Sequence, residues 1–370
     1  MAFDARRLRR GSEFLSFPFL FPIIIVIVQA ANLSSPTLAF VGCGAVADIL
    51  YFPVLAKRPD LARSLVLVDP DLDRAKAARE RLGAAEALAD YRQVISRVRG
   101  AIVATPHHLH HSITLDFVRA GVHVLCEKPL AQTPAEVDEI VAATKAHNVQ
   151  VAVNHMRRLF ASFREIQRLA STGQLGEIRE IRFELGEPFD WPAATDTYFG
   201  AKSGGHGVLF DTGAHVVDLV CWWMGGEPEV IEYADDSYGG TEAVARLTLR
   251  YRHTMAHVHL SWLSKLRNMY RVVGSRAVVE GGVYEWSSYT RIDAGGKARK
   301  IRTDNASRQL LHFPEMQIAN FANVAAGRAN PLVSAADVRA SIAVISACYA
   351  RRTRMSEPWH DACRRLAHAD

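Results

Sequence analysis

The chain lacks the features that define several large classes of protein. Its 370 residues include only five cysteines, with no CxxC pair and no histidine-rich ligand spacing beside them, so we expect neither a disulfide framework nor a zinc site. No internal repeat or low-complexity linker interrupts the pattern. Charge of one sign is not in large excess. The 44 basic and 39 acidic residues leave a net charge of +5, scattered along the chain, which argues against a nucleic-acid partner.

A hydrophobic run long enough to span a bilayer is also missing. The apolar stretch at residues 14–28 has 15 residues and two prolines, whereas a spanning helix needs about 20 residues. Arginines precede this stretch and Val28-Gln29-Ala30 could serve as a cleavage site, so export remains an alternative. We interpret residues 1–35 as an N-terminal extension without an assigned role. We expect no stable membrane span, and the cysteine pattern favours a reducing, cytoplasmic location.

The chain has enough apolar residues to build two domains. Hydrophobic residues make up 49% and charged residues 22% of the composition, which is typical of a globular protein too long for one core. Between residues 36 and 155, amphipathic segments alternate with short apolar runs such as TLAFVG, SLVLVD, GAIVATP, VHVLCEK and VQVAVN. This alternation predicts βαβ units, and therefore an N-terminal Rossmann domain with a doubly wound parallel sheet.

A different pattern follows residue 155. After one helix predicted at about Ser162 to Ser171, glycine-rich turns join runs with period two such as EIREIRFELGE, AVARLTLRYRH and MAHVHLSWL. These runs predict an open, mostly antiparallel sheet. Two helical patterns, Pro314 to Ala326 and Ala335 to Arg351, complete the second part. The predicted fold class is thus α/β, with a second α/β domain at residues 156–370.

A glycine motif opens the first predicted helix. Gly42-x-Gly44-x-x-Ala47 follows the first strand, where small residues let the backbone turn and approach a pyrophosphate at the helix N-terminus. The second strand ends in Asp69, whose carboxylate can accept hydrogen bonds from a ribose and repel a 2′-phosphate. This combination predicts NAD as the cofactor, while the nearby Arg74 does not exclude NADP. The alternative is that the glycines only form a tight turn and that Asp69 caps the next helix.

Two further loops fall at the same edge of the predicted parallel sheet. They contribute Thr105, Pro106, His110, Glu127 and Lys128. Ligands bind outside the carboxyl ends of parallel strands, so we expect all five residues to border the cofactor. A desolvated lysine there can stabilise a developing alkoxide. Four histidines in five positions around His110 suggest a metal site as an alternative, but no Cys, Asp or Glu joins them, so we expect no metal.

The segment GGHGVLFDTGAHVVDLV carries a third group of polar residues. Asp211, His215 and Asp218 stand at i, i+4 and i+7 of a predicted helix and therefore share one face. His215 could then act as a general base, with Asp211 orienting it or binding substrate hydroxyls. The alternative is a packed helix in which Asp211 caps the N-terminus and His215 is a satisfied core side chain.

Four motifs occur together in a fixed order: VGCGAVA, the ATP-x-x-x-H stretch ending at His110, CEKP, and GGxGxLxDxGxH. With them the chain resembles the glucose–fructose oxidoreductase / inositol dehydrogenase (Gfo/Idh/MocA) family, from about residue 37 to the last helix. The resemblance implies that Lys128, Asp211 and His215 converge on the substrate carbon next to the nicotinamide. There His215 takes the hydroxyl proton and Lys128 stabilises the alkoxide. It also implies that the second domain binds substrate and that its open sheet forms a homodimer or homotetramer.

Candidate substrate-binding residues follow from the resemblance and from residue chemistry. Asn154 and Arg157 match the family's Asn-x-x-Arg segment and should border the active site, although Arg158 could be the equivalent. Residues 186–205 would overhang the site, where Trp191 could stack on a pyranose or cyclitol ring or equally anchor the loop. The same segment offers three polar side chains, Asp190, Tyr198 and Lys202.

The expected function is an oxidoreductase that moves a hydride between NAD(P) and a ring hydroxyl carbon of a sugar, cyclitol or nucleotide sugar. One alternative holds NAD tightly through a closed redox cycle, as a glycosidase or a sugar–sugar oxidoreductase, and releases no net NADH. An alternative of another class is a non-catalytic sugar or nucleotide sensor, which the fold also supports. The intact set of Lys128, Asp211 and His215 argues against a sensor, because a sensor needs no proton relay.

Overall fold

A parallel sheet organises the first part of the molecule. A computed structural model describes residues 38–192, 206–237, 241–303 and 309–355. The first six strands are β1 (Leu38–Val41), β2 (Leu65–Val68), β3 (Glu86–Leu88), β4 (Gly100–Val103), β5 (His123–Cys126) and β6 (Val151–Val153). They lie in the order β3-β2-β1-β4-β5-β6, and every neighbouring pair is parallel. Both faces of the central strands are buried, which explains their unbroken apolar sequences and confirms the predicted doubly wound sheet.

Local capping sets the ends of the helices that flank this sheet. These helices are α1 (Phe52–Leu55), α2 (Pro59–Ala62), α3 (Leu72–Leu82), α4 (His110–Arg119) and α5 (Pro134–His147). Asp71 accepts a hydrogen bond from the backbone N–H of Arg74 at the start of α3, and Gly83 ends that helix in the left-handed conformation. Thr133 forms a capping box before α5. The helix after β2 is therefore capped by Asp71 and not by Asp69.

The second sheet is mixed but mostly antiparallel, as predicted. Its strands are β7 (Ile178–Gly186), β8 (Glu229–Asp235), β9 (Val244–Tyr251), β10 (Thr254–Ser261), β11 (Met269–Gly274), β12 (Ala277–Gly282), β13 (Ser288–Asp293), β14 (Ala298–Arg302) and β15 (Thr353–Arg354). They lie in the order β14-β13-β12-β11-β7-β10-β9-β8-β15. Only β10 with β7 and β15 with β8 pair in parallel. Along β7, buried Ile181, Phe183 and Leu185 alternate with more exposed charged residues, so one face of the sheet packs on the core.

Four later helices pack on the two sheets. They are α6 (Ala161–Ser171), α7 (Thr212–Met224), α8 (His312–Ala325) and α9 (Arg339–Ala350). The first terminal helix begins two residues before the predicted Pro314, and a 3₁₀ turn at Ala336–Val338 precedes α9. Ile318 and Phe321 of α8 pack in the same cluster as Phe40 of β1, so the late chain closes the core of the parallel sheet. Among the residues that the structure describes, no helix has both the length and the apolar character to cross a membrane.

Candidate active site

The loop after β1 has the space that a dinucleotide needs. Gly42 has φ of +98°, and a Cβ there would lie 2.5 Å from the carbonyl oxygen of Ala104, so only glycine fits. A Cβ on Gly44 would meet nothing within 4 Å, which leaves the backbone at the start of the first helical turn open to a ligand. Such an open backbone at a helix N-terminus suits a pyrophosphate, and Ala47 is buried beneath it. The residues present therefore fit an NAD-type cofactor.

Asp69 and Arg74 sit together at the end of β2. Asp69 is 3% exposed, and its Oδ2 accepts a hydrogen bond from the backbone N–H of Cys43 in the glycine loop at 2.8 Å. Its Oδ1 accepts from the backbone N–H of Asp71 at 2.9 Å and from Nη1 of Arg74 at 3.1 Å. The Asp69 carboxylate is expected to select NAD, and the Arg74 guanidinium would accept NADP. The two groups thus lie side by side. Because these two side chains are hydrogen-bonded to each other, a ribose bound here would meet the carboxylate and the guanidinium together.

A buried network supports the backbone before Lys128. Oε1 of Glu127 accepts hydrogen bonds from Tyr51 Oη at 2.7 Å and Asn154 Nδ2 at 2.6 Å, while Oε2 accepts from the backbone N–H of Lys128 at 3.2 Å. Burial raises the pKa of Glu127, although these hydrogen bonds oppose the rise. Both oxygens of Glu127 are engaged within the protein, so it supports the backbone of Lys128, and the cofactor contact expected for it stays a prediction. Oδ1 of Asn154 is buried without a hydrogen-bond partner, as a ligand-binding acceptor would be.

His110 joins the two loops at the edge of the parallel sheet. Its ring nitrogens lie 2.7 Å from the carbonyl oxygen of Pro129 and 2.8 Å from that of Thr105. Burial lowers its pKa to about 4, although the two carbonyl contacts oppose the shift. His110 is wholly buried and ties these loops together, and the cofactor contact expected for it stays a prediction. Thr105 Oγ1, by contrast, is buried without a partner beside Pro106. In the described ranges no three His, Cys, Asp or Glu side chains cluster to hold a metal.

Lys128 and Asp211 form the contact between the two parts of the site. Nζ of Lys128 donates to Oδ1 of Asp211 at 2.5 Å and to its backbone carbonyl oxygen at 3.0 Å, across 83 positions of sequence. Asp211 stands at the N-cap of α7, but its side chain makes no capping hydrogen bond. Burial alone would raise the pKa of Asp211, yet the Lys128 ammonium and nearby cationic groups bring it below its usual value. Asp211 is therefore an anion held against Lys128.

His215 lies one helical turn further along α7 and is not oriented by Asp211. The expected hydrogen bond between the two side chains is not formed, because Asp211 is turned toward Lys128. Nδ1 of His215 is buried without a hydrogen-bond partner, and its ring meets that of His155 edge to face at 5.8 Å. Burial, followed by the charges of Lys128 and Arg157, lowers the pKa of His215 well below its usual value. The imidazole is thus neutral.

The two neighbouring arginines have different surroundings. Arg158 makes a bidentate ion pair with buried Asp218, at 2.7 and 2.8 Å, so Asp218 is not part of the site face. Arg157 is buried with Nη1 unpartnered, and burial lowers its pKa to about 10. Its guanidinium lies 5.9 Å from the ring centre of Tyr284. Of the two, Arg157 has the free donor that substrate binding requires.

Some residues of this region were not found from the sequence, and others cannot be placed. Tyr51 supports Glu127, and Tyr284 covers Arg157, yet neither belongs to a recognisable motif. His107 is one of the four histidines near His110 that suggest a metal site, and its Nε2 lies 4.0 Å from Oδ1 of Asp211. Trp191 is half-buried at the end of a described segment. The substrate candidates Tyr198 and Lys202 lie outside the described residues.

Comparison with known proteins identifies the class. Residues 37–155 match a family model described as "Oxidoreductase family, NAD-binding Rossmann fold", and residues 163–280 match the "GFO/IDH/MocA C-terminal domain". The chain belongs to the Gfo/Idh/MocA oxidoreductase family and contains its NAD-binding Rossmann domain. The resemblance noted from the four motifs is thereby confirmed.

The chain is similar to three proteins with known names. It is 29% identical over 203 residues to trans-1,2-dihydrobenzene-1,2-diol dehydrogenase of Xenopus laevis, covering 54% of this chain and 60% of that protein. It is 29% identical over 206 residues to D-glucoside 3-dehydrogenase of Escherichia coli K12, covering 54% of this chain and 57% of that one. A solved levoglucosan dehydrogenase, in complex with NADH and levoglucosan, has a TM-score of 0.74 at 19% identity, covering 85% of this chain and 96% of the other. At that identity the likeness establishes the fold.

Proposed function

We propose that the protein is an NAD-dependent dehydrogenase that oxidises a ring hydroxyl of a sugar or cyclitol, or runs the reverse reduction. The observation that carries this proposal is the contact of Lys128 Nζ with both the carboxylate and the backbone carbonyl of Asp211, beside a neutral His215. A fixed cation next to a neutral imidazole suits the conversion of a hydroxyl into an alkoxide and then a carbonyl. The diol and glucoside dehydrogenases among its relatives support the same reaction class.

Each residue has a role in this proposal. Bound NAD supplies a nicotinamide ring that exchanges a hydride with the substrate carbon. Gly42, Gly44 and Thr105 would hold the cofactor, with Asp69 at its adenosine ribose. Asn154, Arg157 and Trp191 would bind substrate hydroxyls or the sugar face. Lys128 would donate to the substrate oxygen, His215 would take its proton, and Asp211 would hold Lys128 in place. We also propose a homodimer or homotetramer, as the family resemblance implies.

Two alternatives make different predictions for the same assay. In a closed redox cycle the cofactor stays bound and returns its hydride, so product sugar forms without net NADH. A sensor would bind ligand without any conversion. The dehydrogenase is favoured over the sensor because a buried imidazole with an unpartnered Nδ1 stabilises a core poorly, whereas strongly perturbed titratable groups of this kind cluster at catalytic sites.

The test measures reduced-nicotinamide absorbance with NAD and NADP separately, against aldoses, inositols, glycosides and nucleotide sugars. The proposal expects a rise with one substrate class, and His215→Ala should lower kcat by about 100-fold while leaving the Kd for NAD within threefold. Equal loss of kcat and NAD affinity would remove His215 from the role of base. Product sugar without NADH would favour the closed cycle, and NAD binding with neither signal would favour the sensor. A wild-type protein that does not bind NAD would contradict the proposal altogether.

A further inference from the structure

A second buried network of hydrogen bonds holds the loop that leads into α7. Glu242, which lies two residues before β9, is fully buried. Its Oε1 accepts hydrogen bonds from the backbone N–H groups of Gly207 at 3.0 Å and Leu209 at 3.1 Å. Its own backbone carbonyl accepts from the N–H of Val208 at 2.9 Å. Three consecutive amides therefore end on one residue, and we call Glu242 with these amides the Glu242 clamp.

The clamp is connected by backbone to the contact between Lys128 and Asp211. The N–H of Asp211 donates to the carbonyl of Gly207 at 3.0 Å, so the clamped turn directly sets the position of Asp211. One of the two acceptors for Lys128 Nζ is the backbone carbonyl of Asp211, which cannot be re-aimed by a side-chain rotation. A shift of the turn must therefore move an acceptor of Lys128.

The backbones of Gly207 and Glu242 are in close contact. A Cβ on Gly207 would lie 1.9 Å from the carbonyl oxygen of Glu242, so the two backbones touch as closely as glycine permits. On the other side, Tyr349 Oη donates to Glu242 Oε1 at 2.7 Å, and Arg352 Nη2 lies 3.3 Å from Oε2. Arg352 also pairs with buried Asp235 at 2.7 Å. Residues at and just after the end of α9 thus bind the Glu242 carboxylate, which in turn binds the loop amides.

We propose that Glu242 is a positioning residue for the active site: it fixes the turn at 207–209 and through it the alignment of Lys128 with Asp211. This inference rests on the proposed function of that pair. Hydrogen bonds to an ionised acceptor are about twice as strong as neutral ones, so one buried carboxylate can order several amides. A misplacement of about 1 Å in such a site can cost about 100-fold in rate, so the effect should fall on kcat and not on cofactor binding.

The test compares three variants by turnover, NAD affinity, thermal unfolding and amide hydrogen exchange of residues 206–211. Glu242→Met removes the side-chain acceptor at similar volume, and Glu242→Gln keeps one carbonyl oxygen as a conservative rescue. Asp235→Asn is the matched control, because Asp235 shares Arg352 with Glu242 but does not bond the loop. We expect kcat to fall by about 100-fold in the Met variant and about 10-fold in the Gln variant, with the Kd for NAD within threefold. Loop amides should exchange about 10- to 100-fold faster in the Met variant, and Asp235→Asn should match wild type in kcat and loop exchange despite a lower Tm.

Three results would overturn the positioning role. One is a folded Met variant with wild-type kcat and wild-type exchange at 206–211. Another is an Asp235→Asn protein that loses as much kcat as the Met variant at equal loss of Tm, because the effect would then be general destabilisation. If the Met variant does not fold, a Glu242→Gln protein with wild-type kcat contradicts the positioning role. Hydrogen exchange needs no substrate and therefore tests the Glu242 clamp independently of activity. If loop exchange changes as expected but the protein has no dehydrogenase activity, the proposed function is refuted and the Glu242 clamp is not.

Discussion

Replacing Lys128 with methionine should separate the chemical step from cofactor binding. The change removes two hydrogen bonds from Nζ, at 2.5 and 3.0 Å, and leaves the Asp211 carboxylate without its cation. Removing one donor aimed at a developing oxyanion typically costs about 100- to 1,000-fold in kcat, or about 2.7–4 kcal/mol, and we expect a loss in this range. The Kd for NAD should change much less, because the glycine loop and Asp69 lie elsewhere on the sheet edge.

The same change should also affect stability. Breaking a fully buried ion pair costs about 3–5 kcal/mol, but the side chains of Lys128 and Asp211 are 14% and 22% exposed. Solvent reduces the cost, so we expect a loss of about 1–3 kcal/mol in the free energy of unfolding. Single-turnover absorbance, NAD fluorescence titration and urea unfolding measure the three quantities, with Lys145→Met on the exposed face of α5 as the control. A folded Lys128→Met protein with kcat within threefold of wild type would refute the role of Lys128.

Three further predictions concern the cofactor loop and two histidines with lowered pKa values. Asp69→Ser should weaken NAD by about 10-fold and narrow the NAD/NADP preference, measured by the ratio of the two Kd values; an unchanged ratio would show that another group contacts the ribose. Burial lowers the pKa of His107 to about 3 and of His155 to about 4, so the unfolded chain takes up protons first on acidification. The contribution of the two neutral histidines to the free energy of unfolding is therefore complete above about pH 6.5 and decreases as the pH falls toward 4. Equal midpoints of urea unfolding at about pH 7 and pH 5 would contradict this prediction. Gly42→Ala should lose NAD binding because its Cβ meets the Ala104 carbonyl at 2.5 Å, whereas a variant that binds NAD normally would contradict the tight turn.

The parallel sheet was predictable because its signals are local. Apolar runs alternate with capped amphipathic segments over a few residues, and the glycine motif falls directly after β1. Neighbouring residues alone also predicted Lys128 at a sheet edge and Asp211 at the start of a helix. Those positions needed no knowledge of long-range packing.

The partners of these residues could not be predicted, because they depend on how distant segments approach. Helical spacing suggested that Asp211 orients His215, but Lys128, 83 positions away, competes for the same carboxylate. Glu127 was assigned to the cofactor, yet Tyr51 and Asn154 reach it across 76 and 27 positions. Hydrogen-bond partners of this kind leave no periodic trace in a single sequence.

Deuterium transfer from the substrate to the nicotinamide tests hydride transfer at this site without depending on an absorbance signal. The wild-type protein is incubated with NAD and the substrate identified by the absorbance panel, deuterated at the carbon that bears the reacting hydroxyl, and the nicotinamide cofactor is then weighed by mass spectrometry. We expect wild type to place deuterium on the nicotinamide ring and Lys128→Met to do so at least about 100-fold more slowly. Product formed without deuterium on the cofactor at any time would contradict hydride transfer at this site.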